Sequence, residues 1–419
     1  MLKQLILENW KSFRYAELPL DPLTVLIGTN SSGKSNVVEA LEFLQRIARG
    51  ENIEAALAGD KTLPSIRGGL EWAALKPETN FTLKALVQGE DDKGDYLYVI
   101  QTQIVNEVKV IEEYIERQNL NKDHTINYVE KFTVKKIDLN TITGMKEPVT
   151  PFDFQDLVSS HTYLSIAEDG SIVFEKELQE RYFSLKIQAI NCVVSTLKEI
   201  LILNPIPSKM REYSRLSDTL ESDASNIAGV LAALSEEHKN EVESTLSSYI
   251  KDFPEGDIQK LWAEKVGRFG TDAMLYCQEE WKPGHITEID SRTMSDGTLR
   301  FLAILTALLT RPQGSQLVIE EIDNGLHPSR AELLVRILRD IGSKRKIDIL
   351  LTTHNPALLD ALGPEIVPFV VVAHRDKETG ESKLTLLEDI ENLPLLLASG
   401  TLGKLATKGA IEKSLSDNK

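Results

Sequence analysis

Cysteine is scarce in this 419-residue chain: it has two, Cys192 and Cys277, and neither lies near a second cysteine or a histidine at metal-ligand spacing. Neither a zinc site nor a disulfide framework is expected, and a reducing, cytoplasmic setting is. No run of about 20 consecutive apolar residues occurs, so no segment is expected to span a bilayer and no membrane partner is expected. The richest apolar stretch, Phe301 to Leu309, reads as a buried helix. The N-terminal residues Met1 to Phe13 are interrupted by Lys3, Glu8 and Lys11, which does not fit a secretory leader. Basic residues are in deficit, 47 Lys and Arg against 64 Asp and Glu, for a net charge of −17. That balance argues against a broadly basic nucleic-acid coat. It leaves room for a local basic groove, or for a nucleotide held by backbone amides. Internal repeats, low-complexity segments and sustained heptads are also missing, so a long coiled-coil arm is not expected.

What is present is an ordinary globular balance, 42% hydrophobic and 26% charged, in a length that suits two or three domains or one large domain with an insertion. Residues 2–7 and 23–27 read as strands, and Val37, Val38, Leu41, Leu44 and Ile47 recur at helical spacing after Gly33. Between 80 and 138, β-branched and aromatic segments separated by Gly, Asp and Asn predict an antiparallel sheet. From about 175 to 265 helical signals dominate, broken at Asn204–Pro207. From 298 onward helix and strand alternate (316–320, 348–353 and 367–373 as strands), which predicts parallel strands with crossover helices. The expected division is 1–154, an α/β start with the antiparallel sheet; 155–290, a mainly helical insertion; and 291–419, the rest of the α/β core.

Four motifs carry chemistry. Gly28-Thr29-Asn30-Ser31-Ser32-Gly33-Lys34-Ser35 satisfies G-x-x-x-x-G-K-[ST] between a strand and a helix. Small residues let the backbone of Asn30, Ser31, Ser32, Gly33 and Asn36 wrap phosphate oxygens at a helix N-terminus. Lys34 would reach the β- and γ-phosphates, and the Ser35 hydroxyl would ligate Mg²⁺. Next, Gln316 to Ile319 is an apolar strand ending in Glu320 and Glu321: one acid suits the metal side and the other an attacking water. Third, Ser295-Asp296-Gly297-Thr298 opens a helix whose free N–H groups suit a γ-phosphate, with Ser295 and Gly297 as contacts. Fourth, His354 in Thr352-Thr353-His354-Asn355-Pro356 ends a strand and suits a hydrogen bond to γ-phosphate.

Taken in this order, phosphate loop, SDGTLR, EEIDNGLHP and TTHNP resemble the ABC-type ATPase superfamily, in its RecF/SMC/OLD-like branch of stand-alone AAA-type ATPases. The stretch LILENWKSF (5–13) is similar to the first strand of SMC- and RecF-like heads, and Asn204–Pro207, Asp223–Leu234 and Leu402-Gly403 extend the likeness over nearly the whole chain. The resemblance implies an α/β ABC-type ATPase head with an antiparallel β subdomain and a helical insertion. It implies ATP and Mg²⁺ as ligands, Glu320 on the metal, and Glu321 and His354 in catalysis. Arg67, in a loop similar to the Arg-bearing loop of SMC-like heads, is implied as a further phosphate contact. It further implies copies of the chain joined around ATP as a homodimer or higher oligomer, the phosphate loop of one facing the signature of the other.

Departures accompany the likeness. Glu320 stands where many relatives carry Asp, Asp296 adds a negative charge beside a polyphosphate, His327 replaces the Asp of the loop after the catalytic acid, and no lid glutamine is identified. A transporter subunit is disfavoured by the 261 residues between Lys34 and Ser295, and a Toprim nuclease by the 65 residues after His354. The expected function is an ATP-hydrolysing switch acting on a separate effector, such as a nuclease or toxin, in anti-phage defence. The alternatives are a RecF-like DNA clamp, with DNA as partner, and a non-catalytic scaffold assembled by ATP.

Overall fold

A computed structural model of the chain describes residues 1–89, 94–120, 126–133, 164–166, 172–174, 176–254, 256–325 and 327–417. The chain forms two compact units, neither continuous in sequence: residues 1–19 with 36–200, and 20–35 with 201–419.

The first unit is built on a six-stranded sheet, antiparallel throughout. Its order is Phe13–Pro19, Leu2–Trp10, Asn80–Gln88, Gly94–Ile104, Val108–Leu120, Ile126–Thr133. This is the sheet expected from the β-branched stretch, although residues 90–93, 121–125 and 134–138 of that reading lie outside the described residues. The predicted stripe Val37, Val38, Leu41, Leu44 and Ile47 on helix Lys34–Ala48 is buried. Phe43 on that helix meets Trp10 and Phe81 at centroid distances of 5.9 and 5.7 Å, and Trp10 and Phe81 pack edge-on at 4.8 Å.

The second unit holds a six-stranded sheet in the order Leu201–Leu203, Gln316–Ile319, Asp348–Thr352, Leu23–Ile27, Val370–Arg375, Ser382–Leu386. Its first five strands are parallel and the last pairs antiparallel. The sequences LTVLI, QLVI and DILLT are mostly apolar and buried at nearly every position, because these strands are covered on both faces and no polar alternation is needed. Helix Asp296–Thr310 is buried on nearly every side, from Phe301 through Leu309 without a gap, as its sequence predicted. All the predicted crossover helices of the C-terminal part are present: Ala331–Arg345 follows one strand and Pro356–Ala361 the next.

The helical expectation for 155–290 needs correction at its end. Helices Lys176–Lys198, Ile227–Ala233 and Glu236–Lys251 are there, but Ile258–Val266, Asp272–Lys282 and His285–Asp290 form an antiparallel sheet. The physical signal is period two: Leu261 and Ala263 on one strand, Ala273, Leu275 and Cys277 on the next, alternate into the core. The compact units also cut the chain differently from boundaries near 154 and 290, of which the first lies outside the described residues. Among the described residues, no helix is long and apolar enough to cross a membrane.

At the start of strand Asp348–Thr352, Asp348 is 4% exposed, and burial pushes its carboxyl up to about 6. Its Oδ2 and both polar side-chain atoms of the neighbouring Gln316, its register partner, have no hydrogen bond among the described residues. A carboxyl raised in the folded state favours the protonated form. It lowers stability as pH rises from its ordinary value of 3.8 through 6. Asp348→Asn is therefore expected to stabilise the protein by about 2 kcal/mol at pH 7.5, a gain that fades as pH falls toward 4. Thermal melts at several pH values check this; a gain independent of pH would point to packing instead.

Candidate functional site

The C-terminal ends of the parallel strands carry the motifs. Strand Leu23–Ile27 delivers Gly28, whose φ is +144°, and a Cβ there would lie 2.1 Å from the Ala373 carbonyl oxygen, so only glycine fits. Ser31 at +66° and Gly33 at +114° break the backbone direction twice more, and the Ser31 carbonyl accepts a 2.9 Å bond from Arg375 Nε. Such alternating left-handed residues turn successive N–H groups to one side. Thr29, Asn30 and Ser31 are exposed; Ser32 and Gly33 are buried. Ser32 Oγ has no hydrogen-bond partner among the described residues. A concave run of amides with a buried hydroxyl lacking a partner fits the oxygens of a polyphosphate.

Helix Lys34–Ala48 begins directly on this loop. Lys34 Nζ donates to the carbonyls of Gly28 and Thr29 at 2.6 and 3.0 Å. Burial pushes its ammonium below the usual lysine range, opposed by the carboxylates of Glu321, Glu320, Glu412 and Asp323. Ser35 Oγ donates to Glu320 Oε1. Thus the predicted metal pair, 285 residues apart in sequence, is in contact. Among the described residues no group of three His, Cys, Asp or Glu converges as a metal site. A hydroxyl and one carboxylate fit Mg²⁺, a hard cation that takes its remaining ligands from phosphate and water.

Glu321 follows in a left-handed conformation, φ +48°, a strained state for a residue with a side chain. The loop is held there from the neighbouring strand: Glu321 N donates to Thr352 Oγ1 at 2.8 Å and Ile322 N to the Thr352 carbonyl at 3.1 Å. Thr353 Oγ1 bonds Asp323 Oδ1. The acid loop and the TTHNP turn are therefore laced together. His354 is exposed on that turn, and Asn355 caps the next helix by accepting from Ala357 N at 2.9 Å.

In the signature turn, Ser295 is the N-cap of helix Asp296–Thr310, its Oγ accepting from Thr298 N at 3.1 Å. Gly297 faces the Gly325 carbonyl so closely that a Cβ would come within 2.7 Å. Asp296 does not cap; it pairs with Arg211 Nη2 at 2.6 Å. His327 caps a short helix, its ring accepting from Ser329 N at 3.3 Å. Among the described residues, none of the signature turn's hydrogen bonds reaches the phosphate loop of the same chain.

Asn36 and Arg67 belong to the first unit. Asn36 Nδ2 donates to Ser12 Oγ at 2.7 Å, and its carbonyl accepts from Trp10 Nε1 at 2.7 Å. The Arg67 side chain is 68% exposed, with Nε bonded to Glu39 Oε1 at 2.6 Å. Glu39 is buried and also pairs with Lys11. Sequence reasoning missed Thr352, Thr353, Arg211 and Glu412. The threonine pair beside His354 and the lone carboxylate one position after the buried Ile411 are the signals that could have found three of them.

With this geometry in view, comparisons with known proteins place it. The family described as "AAA domain, putative AbiEii toxin, Type IV TA system" matches residues 23–95 and 198–360. An "ATP/GTP phosphatase" of Helicobacter pylori is 21% identical over 392 residues, covering 90% of this chain and 91% of that protein. An SMC head solved with the C-terminal winged-helix domain of ScpA is similar in fold, with a TM-score of 0.50 at 12% identity, covering 92% of this chain and 97% of the other. The SMC head of Thermotoga maritima aligns over 92% of this chain and 98% of its own length, at 14% identity and a TM-score of 0.44.

Proposed function

The chain belongs to the AAA domain family whose match spans both halves of this site, and its fold is that of an SMC-like ATPase head; from that premise we propose that it binds Mg-ATP, hydrolyses it, and uses the nucleotide to join two copies of itself. The observation that carries the reading is the contact between Ser35 and Glu320, which brings the phosphate loop and the acid strand to one point. Mg²⁺, held by Ser35 and Glu320, would neutralise charge developing on the β- and γ-phosphates. The protein's own residues do the rest. Amides of Asn30 to Ser35 cradle the phosphates, and Lys34 exchanges its two carbonyl partners for phosphate oxygens. Glu321 orients and deprotonates the attacking water from its strained loop, and His354 donates to the γ-phosphate.

Self-association is supported by the signature turn. Ser295 and Gly297 open a helix N-terminus with anion-binding character, yet among the described residues none of their hydrogen bonds joins the phosphate loop of the same chain. A second copy supplies the polyphosphate for them. ATP would then favour the joined state by binding it more tightly than the open one. Light scattering tests this: wild-type protein is expected to double in mass with Mg-ATP and to stay monomeric without nucleotide. A monomer at saturating nucleotide rejects the sandwich.

For the role in cells, the family description, with its toxin of a type IV system, supports a part in defence, and we propose that this part is a switch on a separate effector. Disabling Lys34 in cells is expected to release or silence that effector. Unchanged effector behaviour rejects the switch while leaving the chemistry intact.

A further inference from the structure

The signature turn contains a charge that works against its own task. Asp296 lies between Ser295 and Gly297, where a triphosphate from a second copy would approach, and its side chain is 66% exposed. A carboxylate in the first helical turn also competes with any anion for the free N–H groups. One side chain answers both problems. Arg211 Nη2 donates to Asp296 Oδ1 at 2.6 Å and to the carbonyl of Met294 at 2.8 Å. The same guanidinium thus holds the residue before Ser295 and the residue after it. Met294 is itself buried, 3% exposed, which ties the clamp to the core.

Arg211 reaches this point from a stiff mount. It follows the short helix Pro207–Met210, which starts with proline at its first position and ends in the buried Met210. The preceding turn is anchored by Ile206 N donating to the Asp223 carbonyl at 2.9 Å and Asn204 N to the Ser222 carbonyl at 2.8 Å. The break at Asn204–Pro207 therefore has a purpose: it aims an arginine at the signature. A planar guanidinium suits two acceptors in fixed directions better than an ammonium does.

We propose that Arg211 is a positioning residue of the nucleotide sandwich: it neutralises Asp296 and fixes the turn so that Ser295 and Gly297 can meet the polyphosphate held by a second copy. This rests on the sandwich reading above. Its signature is charge compensation, which a packing role does not produce. Arg211→Gln keeps the aliphatic stem as far as Cδ, its amide ending two bonds short of the Nη2 that holds Asp296 and the Met294 carbonyl, and removes the charge. It is expected to weaken Mg-ATP-driven self-association about tenfold or more. Asp296→Asn alone should associate at least as tightly as wild type. The double variant should recover to within roughly threefold of wild type, as coupled neighbours do.

The measurement is the dissociation constant of the dimer by light scattering or sedimentation with Mg-ATP, beside a titration of the monomer with a fluorescent ATP analogue. Analogue binding by the monomer is expected to be unaltered in all three variants. A wild-type protein that stays monomeric rejects the sandwich and this inference together. A wild-type dimer with an Arg211→Gln dimer of equal affinity rejects Arg211 alone. Loss in Arg211→Gln without recovery in the double variant also rejects it, since the charge of Asp296 was then not what Arg211 answers. Should Arg211→Gln fail to fold, Arg211→Met serves, since it too keeps an unbranched stem without the charge, with weakened association and recovery by Asp296→Asn expected in the same order.

Discussion

Lys34→Ala is expected to remove Mg-ATP binding from the measurable range of calorimetry, a loss of about 3 kcal/mol or more, roughly 150-fold in affinity. The size follows from the surroundings. Lys34 sits in the field of Glu321, Glu320, Glu412 and Asp323, all of which favour its charged form. Its removal deletes one charge-assisted contact to the phosphates and leaves four carboxylates facing an anion without their counter-charge. The fold should tolerate the change, because the two carbonyls it bonds, Gly28 and Thr29, lie in the loop rather than the core. A melting temperature close to wild type, with binding lost, is the supporting result. Undiminished binding would overturn the assignment of the phosphate loop.

Glu321→Gln should separate binding from chemistry. The amide keeps the length and can still orient a water, but it cannot take a proton. Turnover is expected to fall about 10²- to 10⁴-fold, with nucleotide affinity within a few-fold of wild type. Phosphate release under saturating ATP measures the first quantity and calorimetry the second. The backbone supports so selective an effect. The left-handed geometry at Glu321 is held by bonds from its own amide to Thr352 Oγ1 and from Ile322 N to the Thr352 carbonyl, neither of which uses the carboxylate. Turnover near wild type would move the base elsewhere, with Asp323, tied to Thr353, the next carboxylate along the loop.

The local parts of the site are legible in the sequence because each is written in consecutive residues. A buried strand, a glycine-bordered loop and a helix follow one another from Leu23 to Ala48, and an apolar strand runs straight into Glu320 and Glu321. The long-range parts are not. That Ser35 touches Glu320 depends on strand order, in which Leu23–Ile27 and Gln316–Ile319 flank Asp348–Thr352. Arg211 reaches Asp296 from 85 positions away, and Glu412 acts on Lys34 from the last helix. No periodicity encodes such pairings. The strands at 258–290 were hidden for another reason. Residues such as Leu261, Ala263, Leu275 and Cys277 suit either element, and only their alternation into the core decides. The same strand order explains why boundaries drawn along the chain differ from the compact units, since residues 20–35 leave their sequence neighbours to join strands from the far end.

That placement has a consequence for how the protein is made. Strand Leu23–Ile27 hydrogen-bonds on one side to Asp348–Thr352 and on the other to Val370–Arg375. About 320 residues separate Ile27 from Asp348, and at 5–20 residues per second a ribosome needs roughly 15–60 s to supply the first partner. Throughout that interval the nascent polypeptide carries an apolar segment with two open edges, a hazard for aggregation that a chaperone would have to shield. Bound ATP would not help stabilise the chain early, because Glu320 is translated 285 residues after Ser35, its partner at the phosphate loop.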